Sequence, residues 1–141
     1  MLSIHPNART TPAVRAEIAH SSEGDAGVVI VVVEDDPQLL LLLWEALEQA
    51  GYEAVPKEHG LAALAYLANH PPPACLVLDL DMSVMNGWAL RRVLQQDPRL
   101  TDIPVVLVSG LANVAETAAR LGAVAYLRKP FTVEQLLAVL P

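Results

Sequence analysis

The chain has 141 residues, 53% of them hydrophobic and 18% charged, and its nine Lys and Arg against sixteen Asp and Glu leave a formal charge of −7. A mean hydropathy of +0.37 excludes a disordered polyelectrolyte, while the longest apolar runs, Gly27 to Val33 and Leu39 to Trp44, are too short to span a bilayer. An acidic chain with no basic tract lacks the electrostatics for nucleic acid or an anionic membrane, and a lone Cys75 permits neither an internal disulfide nor a thiolate zinc site.

Residues 1–26 carry scattered apolar positions and a Ser-Ser-Glu-Gly-Asp tract, and are read as an arm or linker; Thr11-Pro12 opens at most a short helix there. No basic segment followed by an apolar stretch and a small-residue cleavage site is found, so a cytoplasmic location is expected. From Gly27 the pattern turns regular, with apolar β-rich runs alternating with helical stretches, which predicts an α/β domain with a parallel sheet over residues 27–141.

Strands are expected near Val28 to Val33, Glu53 to Pro56, Cys75 to Asp79, Pro104 to Val108 and Val124 to Leu127. The first, third and fourth are continuous apolar runs, as strands covered on both faces require, whereas the short and polar second suits an edge. Asp36-Pro37 reads as N-cap and first turn of a helix stopped by Gly51. Leu61 to Asn69 is helical and must end before the prolines at 71 to 73. Asn86 caps a helix from Trp88 to Gln96; Asn113 with Glu116, and Thr132 with Gln135, form capping-box patterns for the last two. Five leucines from Leu39 to Leu43 exceed one helical face, so that helix is either buried on two sides or leaves a patch for a partner.

The strands of a parallel sheet end along one edge, where ligands bind. Strand one ends in Glu34, Asp35 and Asp36, strand three in Asp79 followed by Asp81, strand four in Ser109, and strand five leads to Lys129 and Pro130. Carboxylates gathered at one place raise one another's pKa and need a cation. Lys129 supplies one charge, and an all-oxygen set without His or Cys favours Mg²⁺ over Zn²⁺. Asp36 is read as a cap rather than a ligand, His5, His20, His59 and His70 as surface or loop residues, and Cys75 as a core hydrophobe.

"VVIVVVEDDP", "CLVLDLDMSVMNGWAL", "IPVVLVSG" and "AYLRKPFT" together resemble, in order and separation, the receiver domain of two-component response regulators. That resemblance implies a doubly wound, flavodoxin-like five-stranded sheet of order 2-1-3-4-5 and a phosphoacceptor module rather than an enzyme. It implies Asp79 as phosphoacceptor and Glu34 and Asp35 as the acidic pair for Mg²⁺, joined by Asp79 and the Asp81 backbone carbonyl. Ser109 would meet the phosphoryl group, Tyr126 would rearrange with it, and Lys129 would be the site lysine. The donor implied is a sensor histidine kinase or phosphotransfer protein, and the readout a downstream protein docking on the fourth helix, fifth strand and fifth helix. Ser83 stands where the family usually has proline and Asn86 where aspartate is common; Asp81, with Leu111, is expected to alter the lifetime of the phosphorylated form. Two rivals stay open. "DLDMS" also resembles the Asp-x-Asp motif of haloacid-dehalogenase-type phosphatases, with Asp79 as nucleophile and Asp81 as general acid, although the acidic pair here precedes Asp79. The other is a receiver-shaped module that binds partners without phosphorylation.

Overall fold

The computed structural model describes residues 27–82 and 87–141. The arm, the Thr11-Pro12 helix start, His5, His20, Ser83 and the Asn86 cap lie outside the described residues.

The five strands are β1 Val29–Val33, β2 Glu53–Lys57, β3 Cys75–Asp79, β4 Val105–Ser109 and β5 Ala125–Arg128, of which β1, β3 and β4 are the continuous apolar runs. Between and after them lie α1 Pro37–Gln49, α2 Gly60–Asn69, α3 Gly87–Gln95, α4 Val114–Leu121 and α5 Val133–Val139. All pairings are parallel, in the order β2-β1-β3-β4-β5, so the polar second strand is indeed an edge. Strands β4 and β5 each begin and end one residue later than the apolar pattern suggests, which makes Ser109 the last residue of β4.

Alternation along the buried strands feeds two cores. Val31, Val33, Leu76, Leu78, Val105 and Leu107 pack against Leu67 of α2, Leu90 and Leu94 of α3 and Leu121 of α4. Ile30, Val32, Val77, Val106 and Val108 pack against Leu43 and Leu47 of α1 and Leu136 and Val139 of α5. Cys75 is fully buried among the latter, and burial pushes its thiol up to about 12, as a core hydrophobe requires. No helix among the described residues is long and apolar enough to cross a membrane.

The caps explain where the helices start. Asp36 is extended and accepts from the amides of Gln38 at 3.0 Å and Leu39 at 3.5 Å, with Pro37 in the first turn. Thr132 and Gln135 form the expected reciprocal box. Asn113 does not: with φ −93° and ψ 20° it lacks the extended backbone that aims a capping side chain at the next amides, and it makes no side-chain cap bond. His59, a loop residue as expected, is also the N-cap of α2, its Nδ1 accepting from Ala62 N at 3.1 Å. His70 does sit at the surface, stacked on Tyr66 with ring centroids 3.9 Å apart. Gly122, with φ +69°, ends α4 in the left-handed conformation open to glycine.

Candidate functional site

The parallel registers β1·β3, β3·β4 and β4·β5 bring the carboxyl ends of four strands side by side. Backbone bonds extend the ladder just past the strands: Leu80 N donates to Val108 O at 3.0 Å and Lys129 N to Ser109 O at 2.8 Å. Residues that are far apart in sequence are thereby fixed around one point.

At that point the Lys129 ammonium lies between two carboxylates, 3.0 Å from Glu34 Oε1 and 3.3 Å from Asp79 Oδ2. Glu34 and Asp79 are each only 2% exposed, whereas Lys129 keeps 27% of its side chain in solvent. The peptide joining Lys129 to Pro130 is cis. The second Glu34 oxygen accepts from Asp36 N at 3.1 Å, and the second Asp79 oxygen from Asp81 N at 3.0 Å, so both carboxylate planes are set. Desolvation, reinforced by the neighbouring Asp79 and opposed by Lys129, pushes Glu34 up to about 7. Burial alone would lower the Lys129 ammonium, but Glu34 and Asp79 outweigh it and hold its pKa above the usual lysine value.

Asp35 is exposed at the lip of the site, and one oxygen from each of Glu34, Asp35 and Asp79 falls within 4.8 Å of the others. Three carboxylates without nitrogen or sulfur donors suit a hard cation, so the donor set fits Mg²⁺. The cluster and Lys129 were legible in the sequence because strand ends in a parallel sheet share an edge.

Ser109 is wholly buried at the end of β4. Its hydroxyl donates to Asp81 Oδ2 at 3.1 Å and accepts from Leu111 N at 3.0 Å, while Asp81 Oδ2 also takes the Gly110 amide at 3.5 Å. The Asp81 side chain therefore does not simply face water; it reaches across to the next strand, a direction that nothing in the sequence specifies. Tyr126 stands half-buried on β5 opposite Leu107, packed against the core that includes α4. The structure thus gathers Glu34, Asp35, Asp79, Asp81, Ser109 and Lys129 at one edge, with Tyr126 on β5, the strand that leads to Lys129.

Residues 30–141 match the family model of the response regulator receiver domain. The chain is 35% identical over 94 residues to the DNA-binding dual master transcriptional regulator RpaA of Synechocystis, an alignment covering 65% of this chain and 39% of that protein. It is 33% identical over 98 residues to the chemotaxis protein CheY1 of Helicobacter pylori, covering 67% of this chain and 79% of the relative. In three dimensions it is similar to the signal receiver domain of a signal transduction histidine kinase from Syntrophus aciditrophicus, with a TM-score of 0.67 at 30% identity over 79% of this chain and 90% of that one.

Proposed function

The chain belongs to the response regulator receiver domain family of two-component systems, and from that premise we propose that Asp79 is its phosphoacceptor. The observation that carries this reading is the Lys129 ammonium set between the buried carboxylates of Glu34 and Asp79. A carboxylate attacks a phosphoryl group only when the repulsion between the two anions is neutralised, and a fixed cation beside an oriented carboxylate meets that need.

The donor is a phosphohistidine on a sensor histidine kinase or phosphotransfer protein. An Asp79 oxygen attacks phosphorus, the P–N bond breaks as the P–O bond forms, and the departing imidazole nitrogen keeps the electron pair and is protonated from water. Lys129 passes from pairing two carboxylates to pairing one of them and a phosphoryl oxygen, and Ser109 donates to another. Asp35, Asp79 and the Asp81 backbone carbonyl would hold Mg²⁺, with Glu34 acting through water, and the bound ion supplies the remaining charge neutralisation between nucleophile and phosphoryl oxygens. Movement of Ser109 toward the phosphoryl group draws the loop after β4 inward and gives Tyr126 room to turn, which changes the α4–β5–α5 face offered to a downstream protein. Residues 27–141 form the receiver unit, residues 1–26 an arm, and the setting is the cytoplasm.

The phosphatase reading asks Asp81 to protonate a leaving group, yet its side chain is turned to Ser109 and Gly110. Incubation with Mg²⁺ and a small acyl phosphate, followed by intact mass, is expected to give one phosphoryl adduct on the wild type and none on Asp79→Asn. Adduct formation in Asp79→Asn at the wild-type rate would overturn the assignment.

A further inference from the structure

A serine hydroxyl carries one hydrogen, and in this structure the hydrogen of Ser109 is already given to Asp81 Oδ2 at 3.1 Å. Residue 81 is fastened at both ends, its backbone amide to Asp79 Oδ1 at 3.0 Å and its carboxylate to Ser109 and the Gly110 amide, so it bridges the tips of β3 and β4. A phosphoryl oxygen on Asp79 that is to receive the Ser109 hydrogen must take it from a carboxylate.

The geometry points to Asp81 as a positioning residue that holds Ser109 and the loop beginning at Gly110 in the resting arrangement, so that phosphorylation switches the loop by displacing the Asp81 carboxylate from that hydroxyl. This rests on the reading of Asp79 as phosphoacceptor. Burial sets which partner leaves. Ser109 is wholly buried and cannot turn out to solvent, whereas Asp81 is exposed and its carboxylate can turn into water. Charge acts in the same sense, because a phosphoryl anion on Asp79 and the Asp81 carboxylate compete for one hydroxyl while repelling each other. Neutral Asn at 81 keeps an acceptor for Ser109 and the Gly110 amide but removes that repulsion; Ala removes both.

The test follows the Gly110 and Leu111 amides by NMR in the 141-residue protein, using phosphorylated wild type to define the switched positions. In unphosphorylated Asp81→Ala both resonances are expected to move toward those positions, by an amount matching about a fivefold shift in the switch equilibrium, the size that one ordinary net hydrogen bond commands. Unphosphorylated Asp81→Asn is expected to stay near wild type. Asp81→Ala placed in a Ser109→Ala background is expected to add no further displacement along that line. Resonances left at wild-type positions in Asp81→Ala, or an equal displacement in the Ser109→Ala background, would overturn the proposal. Intact mass separates the two failures: a wild type that forms no adduct ends the phosphoacceptor reading and this one with it, while an adduct with unmoved resonances ends this one alone.

Discussion

One ammonium serves two buried carboxylates at the centre of the site, and this makes Lys129 unusual among surface-reaching lysines. Breaking a buried pair by removing one partner strands the other charge. Lys129→Met is expected to lower the stability of the metal-free protein by about 1–3 kcal/mol, less than for a fully enclosed pair because the lysine is partly solvated. The loss should be larger at pH 8 than at pH 5, since Glu34 is protonated at pH 5 and needs no counter-charge; urea unfolding at the two pH values checks this, and equal losses would remove Glu34 as the relevant partner. The sequence disclosed this trio because each member adjoins a strand end. It did not disclose the Asp81–Ser109 bond, since a loop side chain takes its direction from the register that seats Asp79 opposite Val108. Nor did it disclose the His59 cap, because histidine is not among the residues that ordinarily signal a helix start.

Among the elements, α1 departs from simple amphipathicity by carrying five successive leucines. Leu43 and Leu47 are buried against the sheet, Leu39 and Leu40 are half-buried, and Leu41 and Leu42 remain 55% exposed. The leucine run left two outcomes open in the sequence, and its numbering around a 3.6-residue turn could not choose between them; in the fold Leu43 and Leu47 enter the core while Leu41 and Leu42 stay exposed, which leaves the patch. Beside it Pro37, Leu40, Leu41, Trp44 and Pro56 line a groove of about 390 Å³ that Asp35 and Glu58 border. A phosphohistidine must approach the carboxyl edge with its own protein attached, so an apolar surface adjoining Asp35 is placed to bear that contact. Leu41→Glu is therefore expected to slow phosphoryl transfer from a cognate kinase or phosphotransfer protein by about tenfold or more, an anchor residue's typical weight, and to leave labelling by a small acyl phosphate unchanged. Equal slowing with both donors would show that the substitution disturbs the site itself. The helix boundaries were legible wherever a cap or a proline marked them, and the Asn113 expectation failed because a residue type suited to capping does not guarantee the backbone angles that capping needs.

For the molecule as a whole, the two cores and the shared strand edge tie global stability to the ionisation of the site. With Glu34 at about 7 in the folded protein against 4.5 for an ordinary glutamate, the folded chain retains a proton that the unfolded chain has released. Stability therefore falls as pH rises from about 4.5 to about 7 and is level beyond, as far as this group is concerned. Lys129 runs the same way but outside this window: its raised pKa contributes stability throughout the neutral range, lost only as pH climbs through that raised value. A divalent cation held at the cluster of Glu34, Asp35 and Asp79 would bind only the folded state, so it would oppose the fall, and most where the carboxylates are charged. Metal-free protein is expected to lose Tm between pH 5 and pH 8. Mg²⁺ at ten times its Kd should restore about 1.4 kcal/mol at pH 8 and much less at pH 5. Chelation should reverse the gain, and Asp35→Asn should weaken it while leaving the metal-free pH slope in place, because Asp35 is exposed and the slope belongs to Glu34. Thermal unfolding of the two proteins with and without Mg²⁺ decides the matter. An undiminished Mg²⁺ response in Asp35→Asn would place the ion elsewhere, and a flat metal-free profile in the wild type would mean that Glu34 ionises as freely in the fold as in the unfolded chain.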